Sequence, residues 1–359
     1  MTAPGGIAIT GLGSVSCFGP LEGLIRARQC PPRPLDWQDH AAAFAVAPFR
    51  PAAVVPSLKT RRLDRLSAWS LVAAALALRD AQIDLDQQDR SRCAVVLGSG
   101  FGCIETTEAF FRTVAEWGYG KADPILFPDS LDNSPASHVA KHFALTGPNI
   151  ALSCRGVSGE AALIEAASLL RAGEADLAIV MAGDTLTRTL YQWMEAAGLL
   201  SPRPGGFTPG EGLAALVMEP AGPPDGRGAT VYATFERGAM GSDPNATGSS
   251  WPRDGRAVAR VIRRALAGAD PSSIRWIVSC TNGSAALDGV EAAAVREVFG
   301  SSCGAPVLAP KPIIGEFDGS GVLRLVAALS GIPSGIRGLG MMLGASAGGG
   351  CAALLLNVP

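Results

Sequence analysis

The chain has 359 residues, 48% of them hydrophobic and 17% charged, with a formal net charge of −2. This supplies ample apolar material for a large buried core and is too apolar for a disordered chain. The near-zero charge argues against nucleic-acid or membrane-surface binding driven by bulk electrostatics, although an acidic partner could still meet a local basic patch.

Ile7-Ala8-Ile9-Thr10 reads as a short buried strand leaving through a turn at Gly11-Leu12-Gly13. Arg65 to Ala81 is rich in Ala and Leu and follows Asp64, which predicts a long core helix. Ala94–Leu97 reads as a strand stopped by Gly98-Ser99-Gly100, and Ser134 to Phe143 as a short helix. The strand Ile150–Leu152, the helix Gly159 to Ala172 and the strand Leu177–Met181 come next, and Gly210-Glu211-Gly212 leads into the strand Ala214–Met218. A second set repeats the pattern: strand Thr230–Phe235, helix Arg256–Leu266, strand Trp276–Ser279, helix Glu291–Phe299, the glycine cluster Gly344 to Gly350 and the strand Cys351–Leu356. Two αβ halves, residues 1–222 and 228–359, are therefore expected, with mixed sheets stacked between helices. The stretch Pro220 to Gly228 is the expected linker. Periodicity alone goes no further.

Eight cysteines (Cys17, Cys30, Cys93, Cys103, Cys154, Cys280, Cys303 and Cys351) are scattered without a Cys-x-x-Cys pair. They read as reduced thiols used as small apolar residues, not as a disulfide framework or zinc site. The start of the chain lacks the basic and apolar regions of a signal peptide, and apolar runs such as Leu177–Gly183 are too short to span a bilayer. A soluble cytoplasmic protein is expected.

Specific strings say more. Ile9-Thr10-Gly11-Leu12-Gly13-Ser14-Val15 opens the chain, followed in order by Asp64-Arg65-Leu66-Ser67, Val96-Leu97-Gly98-Ser99-Gly100 and Phe127-Pro128. Then come Gly147-Pro148-Asn149, Gly173-Glu174-Ala175-Asp176, Gly206-Phe207 with Gly210-Glu211-Gly212, and Asp288 with Glu291 and Val298-Phe299-Gly300. In this order the strings resemble the landmarks of β-ketoacyl synthases over nearly the whole chain. The resemblance implies the thiolase-like fold, an αβαβα stack of two pseudo-repeated halves, and an obligate dimer.

Condensation in that family needs a cysteine thiolate on a strand-to-helix elbow, where the helix N-terminus favours the thiolate and supplies amide donors for the thioester oxyanion. Two histidines stabilise the enolate of the extender unit. Aligned on Gly147-Pro148 and Gly159, the cysteine position here is Gly156. Counting back from Asp288 places Cys280 at the first histidine. The last motif reads Lys311-Pro312-Ile313-Ile314-Gly315-Glu316, so Glu316 stands at the second histidine while Lys311 is kept. The Gly-Phe-Gly gate corresponds to Gly344-Ala345-Ser346, with Ala345 at the gate position, and the loop Ser201-Pro202-Arg203-Pro204-Gly205 is shorter than the family's segment.

The resemblance therefore implies a chain-length factor of a type II polyketide or aryl-polyene-like system, a non-condensing subunit that pairs with an active ketosynthase. Such a subunit meets an acyl carrier protein through the complex and shapes the acyl-chain tunnel by steric bulk. No cofactor, nucleic acid or membrane is called for. By analogy the pairing face takes in Ala151–Ser153 and the Phe101–Phe111 and Asp123–Val139 segments. There Phe110, Phe111, Trp117 and Phe127 are tunnel or interface candidates, with core packing as the alternative for each.

Other readings stay open. Cys154 is a relocated nucleophile or a small buried residue, and Cys280 with Glu316 forms an acid–thiol pair, or Glu316 fills the pocket against Lys311. On these residues the rival function is a thiolase-fold acyltransferase or hydrolase, and a third is a self-associating scaffold. His138 and His142 have a metal-compatible spacing without the zincin glutamate, which favours an ordinary helix. Glu211 reads as a core hydrogen-bonder, and the cluster Gly344–Gly350 as close backbone packing, since it lacks the P-loop lysine.

Overall fold

A computed structural model describes residues 6–23, 25, 30–37, 41–60, 63–203, 205–221, 227–248, 250–300, 304–331 and 337–359. His40, Cys303 and residues 222–226 of the expected linker lie outside that set. The first strand, β1 (Ile7–Ser16), is ten residues long and does not turn at Gly11-Leu12-Gly13. Those glycines lie inside the strand because helix α1 (Arg65–Asp80) crosses it closely. A Cβ on Gly11 would stand 2.2 Å from the Ala77 carbonyl oxygen, and one on Gly13 2.2 Å from that of Ala73. The carboxylate of Asp64 caps α1 by accepting from the Leu66 amide at 2.9 Å.

Next come β2 (Cys93–Gly98), α2 (Ile104–Trp117), α3 (Ser134–His142), β3 (Asn149–Leu152), α4 (Ser158–Ala172), β4 (Leu177–Asp184), α5 (Arg188–Ala196) and β5 (Gly212–Pro220). The second half holds β6 (Ala233–Ser242), α6 (Arg256–Leu266), β7 (Trp276–Val278), α7 (Ala285–Phe299), α8 (Gly321–Gly331), β8 (Gly338–Ala345) and β9 (Gly350–Val358). The strand expected over Thr230–Phe235 starts instead at Ala233 and runs to Ser242. Its polar middle, Glu236-Arg237-Gly238, hides the pattern, while pairing with β9 from Asn357↔Thr234 to Gly350↔Ser242 enforces it. Sequence periodicity missed α2, α5, α8 and β8.

Among the described residues ten strands hydrogen-bond along one path, Val307–Leu308, β7, β8, β9, β6, β1, β5, β4, β2, β3, and an eleventh, Gly19–Glu22, pairs with β1 off that path. The halves join where β1 pairs antiparallel with β6, Ile7↔Phe235 to Ile9↔Ala233. Alternate residues of each strand face opposite layers. Ala178, Val180 and Ala182 of β4 point into a central core with α4 and α8, whereas Leu177, Ile179 and Met181 point outward to α1 and α3. In the second half Leu354 and Leu356 of β9 face the same central core, while Cys351, Ala353 and Leu355 face α6 and α7. Two buried helices are thus sandwiched between sheet surfaces, with an outer helical layer on each side: a mixed α/β thiolase-like fold.

This stacking decides residues far from any motif. Trp276 is fully buried and pairs with Gly340, where a Cβ would sit 1.9 Å from the indole. The ion pair between Arg324 of α8 and Glu160 of α4 bridges the central helices, 1% and 0% exposed, with Arg324 also donating to the Ser279 and Leu343 carbonyls at 2.9 Å.

Candidate functional site

The site forms where β3 gives way to α4. Its turn, Arg155–Val157, is tight: Arg155 has φ +53, and Ser158 Oγ accepts from the Cys154 amide at 2.9 Å while reaching the Arg155 carbonyl at 2.7 Å. The elbow therefore keeps its strained shape. Gly156, buried at its apex, places no side chain in the chamber, and its amide donates to Ser346 Oγ at 3.0 Å. Ser346 arrives from the hairpin between β8 and β9, held by its own amide on the Gly350 carbonyl at 2.8 Å. That amide is thus already engaged. A Cβ at Gly156 would lie 3.3 Å from the Ala345 carbonyl oxygen and from Cα and Cβ of Ser346. Ala345, expected at the gate, is buried in the outer core with α6 and α7.

Cys280 and Glu316 do not pair. Cys280 is fully buried, and both its amide (2.7 Å) and its thiol (2.9 Å) donate to Glu291 Oε2, while Ser279 Oγ donates to Oε1 at 2.5 Å. Burial, then the Glu291 charge, pushes the Cys280 thiol well above its ordinary value. It is a protonated donor, the opposite of a nucleophilic thiolate. The acid beside it is Glu291 of α7, because the strand end turns Cys280 toward the outer helices.

Glu316 has its own partners. Lys311 Nζ donates to both its oxygens at 2.8 Å and Asn282 Nδ2 to Oε2 at 2.6 Å, with the two charged side chains 4% and 8% exposed. Gly210 sets this up: a Cβ on it would stand 2.3 Å from the Ile314 carbonyl oxygen, and its amide donates to the Glu316 carbonyl at 3.0 Å. Glu211 accepts from the Val46 and Leu186 amides (3.0 and 2.9 Å) and from Arg65 at 3.1 Å, and Gly212 opens β5 beneath it. Cys154 is half-buried at the turn, and His138 bonds Asp129 at 2.9 Å from the outer face of α3. Among the described residues no group of His, Cys, Asp and Glu is arranged to hold a metal.

Sequence reasoning missed Arg155, Asp184 and Asp318. Together with Glu316 they line one end of a cleft with a cavity volume of about 100 Å³, walled by Phe101, Leu186, Trp193, Met194, Phe207 and Phe317. Asp184, at the end of β4, accepts from Ser99 Oγ at 2.6 Å and from the Gly100, Phe101 and Gly319 amides. Arg155 reaches Asp318 at 3.3 Å. A charged residue inside the elbow and an acid two places after Glu316 were the only signals in the sequence.

The tunnel and interface candidates are not core residues. Phe111 is 61% exposed, Trp117 70% and Phe127 53%, while Phe110 is half-buried with its ring 5.6 Å from Phe111 and 5.8 Å from Phe127. Helix α2 lies outside the layers, so nothing among the described residues covers this face. Strand β3 ends the sheet, its outer side unpaired among the described residues. No helix among them is long and apolar enough to cross a membrane.

Comparison with known proteins fits this geometry. Residues 36–222 match the β-ketoacyl synthase N-terminal domain and residues 232–336 the C-terminal domain. The chain is 30% identical over 298 residues to 3-oxoacyl-[acyl-carrier-protein] synthase I, chloroplastic, of Arabidopsis thaliana, covering 77% of this chain and 62% of that one. It thus spans less than two thirds of that relative's length. It is 27% identical to 3-oxoacyl-[acyl-carrier-protein] synthase 2 of Staphylococcus aureus over 76% of this chain and 72% of the relative. Among solved structures, the ishigamide ketosynthase/chain length factor superposes with a TM-score of 0.88 at 21% identity, covering 99% of this chain and all of the other. A type II polyketide synthase acyl-carrier protein in complex with its ketosynthase gives 0.85 at 20%, again over 99% and 100% of the chains. The matched domains cover both halves of a fold whose elbow, lysine motif and glycine segment are all in place, and the chain belongs to the β-ketoacyl synthase family.

Proposed function

We propose that this chain is a non-condensing, chain-length-factor-like subunit that pairs with an active ketosynthase and shapes the tunnel for the growing acyl chain. The observation that carries this reading is Gly156, whose position at the elbow has no thiol and whose amide is taken by Ser346. An acyl group has neither an attachment point nor a free oxyanion donor there. Cys280 offers no replacement, since its thiol is locked to Glu291. The exposed apolar face around Phe111, Trp117, Ile125 and Phe127 exceeds what scattered surface residues need, which supports a partner there. Helix α3 touches both β3 and the Pro128–Ser130 turn after Phe127, so this face continues toward the open sheet edge. The ketosynthase/chain length factor and carrier-protein complexes with similar folds support the choice of partner.

Co-expression with an active ketosynthase, followed by size-exclusion chromatography, tests the proposal. A heterodimer is expected, and Phe111→Asp with Phe127→Asp should dissociate it while leaving a folded chain. A stable homodimer indifferent to every such ketosynthase would overturn the reading, as would condensation of two acyl units by the purified chain alone.

A further inference from the structure

Two of the cysteines lie against each other. Cys17 is buried in the turn that follows β1, and half-buried Cys30 stands 13 positions further along the chain. The Cys30 thiol donates to the Cys17 carbonyl at 3.2 Å, and the two thiols hydrogen-bond each other. Cys17 also donates to the Ile313 carbonyl at 3.5 Å, in the short helical turn Lys311–Ile314 that leads to Glu316. The other described cysteines differ. Cys93, Cys103, Cys280 and Cys351 are buried against oxygen partners, and half-buried Cys154 bonds no second thiol among the described residues. Contact between one buried and one accessible thiol is the arrangement in which oxidation of the second is captured by the first.

We propose that Cys17 and Cys30 form a redox pair, which a hydroperoxide closes into a disulfide and a small dithiol reopens. Cys30 is the entry point because it is the more exposed of the two. Its sulfur attacks the peroxide: an S–O bond forms, the O–O bond breaks, and the departing oxygen leaves as water or alcohol. Cys17 then attacks the sulfenic sulfur. The S–S bond forms, the S–O bond breaks, and the hydroxyl leaves as water with the Cys17 proton. The thiols lose two electrons and the peroxide gains them.

The surroundings assign the two roles. Burial first, then Cys30 itself, raises the Cys17 thiol well above its ordinary value, against the opposing charge of Arg33. Cys17 therefore stays protonated and shielded from peroxide, and it resolves what forms on its neighbour. Closing the bond removes the proton that Cys17 gives to the Ile313 carbonyl, so the state of the pair reaches the segment carrying Lys311 and Glu316. The inference is independent of the pairing role.

The test treats the reduced full chain with hydrogen peroxide, blocks free thiols with N-ethylmaleimide and maps tryptic peptides without reduction. Trypsin cuts after Arg26 and Arg28, so the two cysteines fall on separate peptides. A linked Cys17–Cys30 pair is expected, released by dithiothreitol. Cys17→Ser should let sulfenic acid accumulate on Cys30, trapped by dimedone. Cys30→Ser should slow oxidation of Cys17 at least about tenfold. Cys154 should gain oxygen alike in the wild type and both variants. The proposal fails if Cys30 of the wild type goes on to sulfinic acid without a cross-link, or if Cys17 links to a different cysteine. It fails equally if Cys17→Ser leaves dimedone labelling of Cys30 unchanged.

Discussion

Replacing Glu316 by glutamine keeps the shape of the side chain and removes its charge. In the native chamber both carboxylate oxygens receive Lys311 Nζ at 2.8 Å and one also receives Asn282 at 2.6 Å. The glutamine amide would turn an NH₂ toward one of these donors and leave the ammonium of Lys311, 4% exposed, without an anion. Removing one partner of a buried ion pair costs about 3–5 kcal/mol, whereas removing both together is close to neutral. Even the lower figure shifts the folding equilibrium roughly 150-fold. Lys311→Met combined with Glu316→Gln should therefore regain at least about 2 kcal/mol over Glu316→Gln alone, a coupling within the range for contacting residues. Urea unfolding of the wild type, both single variants and the double variant, followed by tryptophan fluorescence, measures each term. The reasoning fails if Glu316→Gln costs less than about 1 kcal/mol, the typical net worth of a single hydrogen bond, or if the two single losses simply add in the double variant.

Restoring the elbow cysteine alone should not restore chemistry. Gly156→Cys must push on Ser346, whose Cα and Cβ lie 3.3 Å from the new Cβ, so a loss of about 1–3 kcal/mol is expected. Incubation with a reactive acyl thioester should add no acyl mass to that variant, as intact-mass spectrometry will show. Alkylation of the native protein at neutral pH should mark half-buried Cys154 and Cys30 before Cys280, which should react only on unfolding, because burial and Glu291 keep its thiol protonated; peptide mapping reads the order. Gly340→Ala forces a methyl group to 1.9 Å from the Trp276 ring and should cost about 3 kcal/mol or more, seen as a lowered thermal midpoint with Trp276 fluorescence shifted toward that of an exposed indole.

Local patterns carried much of this protein. The Ala- and Leu-rich run behind Asp64 and the apolar stripe of Arg256–Leu266 place helices within a residue of where they form, because helix period and caps are local properties. The order of short motifs was enough to indicate the family, and counting from fixed neighbours led to the expectation that Gly156, Cys280 and Glu316 stand at the three altered positions. The glycines of β1 misled because a glycine required by a crossing helix looks the same in sequence as one required by a turn. What faces those three positions was settled only by packing of the layers. Ser346 meets Gly156 across 190 residues, and Arg155 meets Asp318 only because the elbow and the start of α8 converge on one cleft. Spacing along the chain encodes periodicity and burial. Contacts between distant segments depend on how the sheets and helices stack, and those contacts decide whether the chamber can hold and activate an acyl group.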